Sequence, residues 1–476
     1  MKRSSFLAAG AGAMVVAALP PLSKRLLASD LIEYSLTAAP LSFAPAPGIS
    51  FAALAYNGRL PGPVLRAVHG QRVRVRYRNA TNVATTVHWH GMIIPNAMDG
   101  VPGVTQAPVQ PGGEFVYEFA PNPAGTRWYH DHGKHLGVVR GLFGMFVVDD
   151  PGERSADREF ALVFHDVPNM QSVYAALSGT SSAPMTDPLG APELAEMRPD
   201  DRMGDEVAYV AHCINGASYP GTQTLSVNVG ERVRLRILNA NPTQTRYIRL
   251  AGHRLTVTHA DGNPLEQPIE VDALRVGVAE RYDAWFEVTK PGAWLLQGIS
   301  SDPLVFEQAA VVRTPGMENA SPQGSSESID GVDYFTYEKA CGVGGAYLGD
   351  AAANVRKALT LGGGAYGASI WSIDGKQWPY TPKIQVRRGD RVTVTFTNKT
   401  DMEHPMHLHG HVFRIVAING RAMLRPLAKD VSLVPANGGT LSWAFDATSP
   451  PGRWLLHCHN EVHMMDGMMT EVDYIS

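Results

Sequence analysis

GQRVRVRYRNAT (70–81), GERVRLRILNAN (230–241) and GDRVTVTFTNKT (389–400) are one phrase written three times. Each enters through a glycine turn, alternates apolar with polar side chains and stops at asparagine, the pattern of a half-buried β-strand. Their starts lie 160 and 159 residues apart, so the chain repeats one unit. A related turn precedes each copy: NGRLPGP (57–63), INGASYP (214–220) and IDGKQWP (373–379). A later phrase also recurs, as AGTRWYHDH (124–132), PGAWLLQGI (291–299) and PGRWLLHCH (451–459). Short strands broken by Gly and Pro turns predict an all-β protein of three Greek-key β-sandwich domains. The expected divisions are 31–150, 151–315 and 316–476, the second at TPGMENASPQGSSES (314–328), a stretch poor in core-forming residues. Residues 168–206 read as a long irregular insertion in the middle copy.

The composition agrees. The 476 residues exceed what one core serves, and 47 Gly with 34 Pro and 18% charged residues exclude a coiled coil or long-helix bundle. A hydrophobic share of 44% excludes a disordered chain. The net charge of −4, with scattered Lys and Arg, gives no expectation of a nucleic-acid partner. Three cysteines make no disulfide scaffold; Cys213 and Cys341 are able to pair, but two separate buried thiols is the simpler expectation. At the amino terminus Lys2 and Arg3 precede an apolar run from Phe6 to Leu19 and then Pro20-Pro21. This is the layout of a cleaved export signal, too short for a membrane span. Residues 1–30 are therefore expected to direct the protein to the periplasm or the extracellular space, with no membrane span in the mature chain. The Lys-Arg pair is close to a twin-arginine signal, with lysine replacing one arginine and Phe6 one residue late.

The three copies act as controls for one another. His407-Leu408-His409-Gly410-His411 corresponds to Arg249-Leu250-Ala251-Gly252-His253 in the middle copy. His411 is retained where its neighbours are lost, so it reads as structural, whereas His407 and His409 read as ligands. Likewise His130 and His457 correspond to Gln297, and His132 and His459 to Ile299. The middle copy has lost every candidate ligand and is expected to serve spacing and packing.

Four His-x-His pairs remain: His88/His90, His130/His132, His407/His409 and His457/His459. In a strand, residues i and i+2 share a face, so each pair offers two imidazoles to one side. Eight imidazoles exceed the needs of one ion and imply a multinuclear site. Cys458, between His457 and His459, points to the opposite face. There it can join His404 and His463, with Met468 as a weak thioether, which is the donor set of a blue-copper electron-transfer site. A zinc site would want a fourth strong ligand. The remaining histidines (His69, His135, His165, His212, His253, His259 and His411) read as core or surface residues, with His135 the least certain because it follows His132 so closely.

HWHG (88–91), WYHDH (128–132), HPMHLHGH (404–411) and HCHNEVHMMDGM (457–468) resemble the four copper signatures of three-domain multicopper oxidases, the laccase group, of bacterial type. The resemblance runs from about residue 31 to the end. It implies cupredoxin folds and four copper ions: type 1 at His404, Cys458, His463 and axial Met468; type 2 at His88 and His407; and a type 3 pair at His90, His130, His132, His409, His457 and His459. It also implies four one-electron oxidations of a small reducing substrate per O2 reduced to water. Asp99, in the MDG after HWHG, matches a carboxylate that the family places near the cluster for proton supply; as a turn residue before Gly100 it also has a simpler explanation. Many bacterial members carry a Glu directly after the last type 1 histidine, where this chain has Met464. Glu461 is expected to point elsewhere, and Asp131, where Ser is common, to face away from the cluster. Cys458 and His463, with Asp99, are thus the residues expected to carry the reaction. A laccase-like oxidase of phenols and aromatic amines would need an open groove beside His463. The alternative is a cuprous oxidase for copper tolerance, since HMMDGMM (463–469) offers thioethers that favour Cu(I). Met464, Met465 and Met469 are more simply core filler.

Overall fold

The computed structural model describes residues 18–19, 30–133, 135–153, 155–178, 207–299, 308–325, 328–342, 353–363 and 370–475. Its six sheets pair into three β-sandwiches, the cupredoxin arrangement. The first has sheets of four and four strands, the second of six and six, the third of six and five. The thrice-written phrase forms an inner strand of one sheet in each: Arg72–Asn79, Arg232–Asn239 and Arg391–Asn398.

The repeated polar residues repeat their hydrogen bonds. Asn79 donates to the carbonyls of Val83 and Val109, Asn239 to those of Gln244 and Val276, and Asn398 to those of Met402 and Val434. Each asparagine thereby stops its strand and holds the loop that follows, and Asn239 and Asn398 also tie it to a strand of the second sheet. In the preceding turns, Asn57, Asn215 and Asp374 hold positive φ before a glycine. Their side chains accept from the backbone N–H of Thr37, Val163 and Thr360. Such hairpin turns favour Asn or Asp followed by Gly because both central residues need left-handed backbone.

Several expectations meet the structure here. The expected export segment lies outside the described residues except for Ala18, Leu19 and Asp30. In the expected insertion, Met170–Ser178 is a helix and residues 179–206 lie outside the described residues. The low-complexity stretch after Arg313 does not leave the middle sandwich at once: Leu295 N–H donates to Gln323 O, and Tyr334–Phe335 adds an edge strand beside Ala273–Val276. Its few apolar residues are enough because the sheet edge supplies backbone partners. Cys213 and Cys341 are separate buried thiols. No helix among the described residues is long and apolar enough to cross a membrane.

The first and middle sandwiches meet backbone to backbone. Gly125 has φ +128°, and a Cβ there would lie 2.0 Å from the carbonyl oxygen of Gly262. Gly125→Ala is therefore expected to destabilise the copper-free chain by about 3 kcal/mol. Gly48→Ala, also at positive φ but with open space around it, should cost about 1 kcal/mol. Urea denaturation of both variants checks the difference, and equal losses would contradict the close crossing.

Candidate metal centre

Strand register sets the first group of donors. His88 pairs directly with His130 across two antiparallel strands of the first sandwich, and His407 with His457 in the third. Directly opposed residues share a face. Both pairs therefore project from their sheets to one side, and the sandwiches face each other across the gap. His88 lies against His409, with ring centroids 3.8 Å apart, and His90 against His407 at 3.7 Å with 12° between planes. Eight rings converge: His88, His90, His130, His132, His407, His409, His457 and His459 are all buried. Donor atoms cluster within 4.8 Å in the groups His88/His407/His409, His88/His90/His130 and His132/His409/His457. His459 completes a further set with His90 and His130, its ring 5.1 Å from each.

One nitrogen of most rings is held by the protein and the other is left inward. Nδ1–H of His88, His130, His407 and His457 donates to the backbone carbonyls of Asp99, Asp131, Asp430 and Cys458. His409 Nδ1 bonds Asp99 Oδ2 at 2.9 Å. His90 is reversed, its Nε2 on Asp430 Oδ1 at 3.0 Å. The inward atoms His88 Nε2, His90 Nδ1, His130 Nε2 and His407 Nε2, and both nitrogens of His459, are buried without a hydrogen-bond partner. Leaving one such group unsatisfied costs about 1–3 kcal/mol. So many, aimed at one point, fit a metal cluster and no hydrogen-bond network.

The second centre is mononuclear. Cys458 Sγ lies 3.7 Å from His404 Nδ1 and 3.5 Å from His463 Nδ1, and the two nitrogens are 3.1 Å apart. All three residues and Met468 are buried. Thr400 Oγ1 bonds His404 Nε2 at 2.8 Å, so Nδ1 is the atom turned to the sulfur. Beyond Cys458 the chain leaves the strand for a short helix, Glu461–Asp466, begun by Asn460 accepting from Val462 N–H. That turn carries His463 back over the sulfur. Two imidazoles and one thiolate suit copper. The two clusters fit the type 1 and trinuclear copper sites.

The chain matches the multicopper oxidase family over residues 41–153, 192–310 and 350–475. Multicopper oxidase MmcO of Mycobacterium tuberculosis is 34% identical over 433 residues, spanning 89% of this chain and 83% of the relative. This chain belongs to the multicopper oxidase family. It is an oxidoreductase that takes electrons from a reducing substrate and delivers them to O2. Other relatives carry different names. A copper resistance protein A homolog of Pseudomonas syringae pv. tomato is 26% identical, covering 88% of each chain. Laccase-2 of Botryotinia fuckeliana is 26% identical, covering 88% of this chain and 78% of its own.

The residues set aside on sequence grounds have other work. His411 Nδ1–H caps the carbonyl of His409, as His253 Nδ1–H caps that of Ala251, so the retained histidine does the same turn-closing job in both copies. His135 is exposed. Asp131 faces away from the cluster and accepts from Thr86 and Gly133 N–H, and burial pushes its carboxyl up to about 6. Glu461 is buried, and burial with the nearby Asp131 charge pushes its carboxyl up to about 8.

Sequence reasoning missed two features. The groove that a laccase-like oxidase would need beside His463 is closed among the described residues: the Trp371 ring lies against the His463 ring, centroids 3.7 Å apart, and His463 is fully buried. Trp371 N–H is held at 2.5 Å by Asp466 Oδ2, one helical turn beyond His463. The other is Asp430, whose only signal was a charged Lys-Asp pair inside the apolar run LAKDVSLV.

Burial holds the imidazoles of His165, His411 and His457 at about 4, below the ordinary 6.5, and those of His90, His130, His132, His404, His407, His409 and His459 well below it. Such groups stay neutral when folded but take a proton when unfolded, so stability is fully present above 6.5 and is lost as pH falls towards 4. His165, His411 and His457 each contribute about 1.4 kcal/mol per pH unit in that window. The urea midpoint of the copper-free protein should fall steeply between about pH 7 and pH 5. A constant midpoint would show that these rings are not buried in neutral form.

Proposed function

We propose that this multicopper oxidase is laccase-like, oxidising phenols and aromatic amines. In this reading His404, Cys458, His463 and axial Met468 hold type 1 copper, and His88 with His407 hold type 2. His90, His130, His132, His409, His457 and His459 hold the type 3 pair. Bound at these positions, four coppers would supply one-electron transfer from the donor at the first centre and, between both centres, the four electrons that with four protons turn O2 into two waters.

The chain's own residues provide the remaining parts. Cys458 is joined through its backbone to both His457 and His459, so the two centres are a few covalent bonds apart. Asp99 Oδ2 accepts from His409 Nδ1–H and its backbone carbonyl from His88 Nδ1–H, which fixes two rings and keeps a carboxylate beside the cluster for proton transfer. Export to the periplasm or beyond, by the segment at residues 1–30, belongs to the same reading.

His463 has no open groove of its own among the described residues, so in this reading the donor meets the cover over it, and that cover carries the choice. Trp371, itself buried, lays its indole against that imidazole, and its chain neighbour Ile370 is 61% exposed. An aromatic and apolar entrance suits an aromatic donor. Met465, which a Cu(I) site would want free, packs instead against the apolar cluster of Leu136, Val139, Val173, Val207 and Val462. The cuprous-oxidase alternative rests on the thioethers of HMMDGMM (463–469) and on the relative named for copper resistance.

O2 uptake by copper-loaded protein with a methoxyphenol, and separately with Cu(I), tests the donor class. Turnover of the phenol is expected; consumption with Cu(I) alone would reverse the preference. Redox titration of the blue absorbance tests the axial residue. Met468→Leu should raise the potential of the first centre, because a weak thioether donor stabilises the oxidised ion, and an unmoved potential would remove Met468 from the ligand set.

A further inference from the structure

Asp430 is fully buried at the junction of all three sandwiches. Its Oδ1 accepts from His90 Nε2–H at 3.0 Å, and its backbone carbonyl from His407 Nδ1–H at 2.7 Å. One residue of the third domain thus fixes two stacked rings, one from the first domain and one from its own. The bond to His90 sets that ring apart. The other anchored rings of the cluster are held at Nδ1 and turn Nε2 inward, whereas His90 is held at Nε2 and turns Nδ1 inward. Its tautomer and orientation depend on the Asp430 carboxylate.

That carboxylate is held in turn from the middle domain. Arg281 Nη1–H donates to Oδ1 at 2.7 Å and Nη2–H to Oδ2 at 2.5 Å, a two-point fork that fixes the carboxylate plane. Arg281 is itself fully buried and also donates to the backbone carbonyls of Ala279 and Asp261. Arg127 of the first domain adds a longer contact to Oδ2 at 3.4 Å. The middle copy lost its ligands but kept a hand on the site.

We propose that Arg281 is a positioning residue for the trinuclear centre, acting through Asp430 on His90 and His407. The middle domain then does more than the spacing and packing expected of it. The proposal rests on the ligand assignment above, and the two fail differently.

The test uses the full chain reconstituted with copper. Copper per chain is measured against a competing chelator, alongside the blue band of the first centre, the type 2 EPR signal and the near-ultraviolet type 3 band. Arg281→Met should retain the blue band while losing type 2 and type 3 copper affinity roughly tenfold or more. Arg281→Lys, which keeps the charge but not the fork, should fall between. If Arg281→Met does not fold, Arg281→Lys decides: an altered type 3 band or type 2 signal with an unchanged blue band supports the proposal. A lowered thermal midpoint with all three spectra intact would mean that Arg281 only docks the domains, and would overturn it. Wild-type protein that takes up copper at the first centre alone would overturn both the ligand assignment and the proposal.

Discussion

The period of two in a β-strand is the constraint on which this molecule turns. In the stretch His457-Cys458-His459, successive side chains must leave opposite faces, so one thiol and two imidazoles on neighbouring residues serve different centres. The backbone is held firmly enough for that to matter. Cys458 N–H donates to Met468 O and His459 N–H to Pro405 O, which keeps the alternation beyond the last paired residue of the strand. A bulge of one residue here would exchange the faces and mix the two donor sets.

Gathering ten buried imidazoles at two centres creates an electrostatic problem that the surroundings answer. Most of the anchors that hold Nδ1 are backbone carbonyls, which accept a proton without adding charge. Formal negative charge is admitted at two carboxylates, Asp99 and Asp430, and Asp430 is matched at once by Arg281 and Arg127. A little farther out, Lys429 bridges Asp261 and Glu280 at 3.0 and 2.9 Å. Buried pairs of this kind add little net stability compared with apolar packing, but breaking one leaves a charge stranded. They therefore lock the relative placement of the three sandwiches, and the site between the first and third inherits that placement.

The three-fold repeat was legible because strand, turn and terminating asparagine each recur in register, and the structure gives Asn79, Asn239 and Asn398 the same hydrogen bonds. The donor clusters were legible because short-range alternation decides them, and comparison with the middle copy separated His411 from its neighbours. What escaped was long-range. Asp430 and Arg281 are 149 residues apart and meet only through domain docking. The reversed ring of His90 likewise follows from a partner 340 residues away. Trp371 reaches His463 because the strap around residues 370–380 is tied to the end of the short helix by Trp378 N–H on Gly467 O. No local periodicity encodes such a contact.

The two kinds of information also separate the two halves of the activity. The O2-reducing centre is built from strands and from charges that lock three domains, so any change there is felt by many partners at once. The electron entrance is built from a loop, a short helix and the indole between them, parts that can alter without disturbing sheet register. Trp371 is the point where they meet: its backbone is held by Asp466 and its ring rests on His463. Under the function proposed here, donor choice would be a property of the cover over one imidazole.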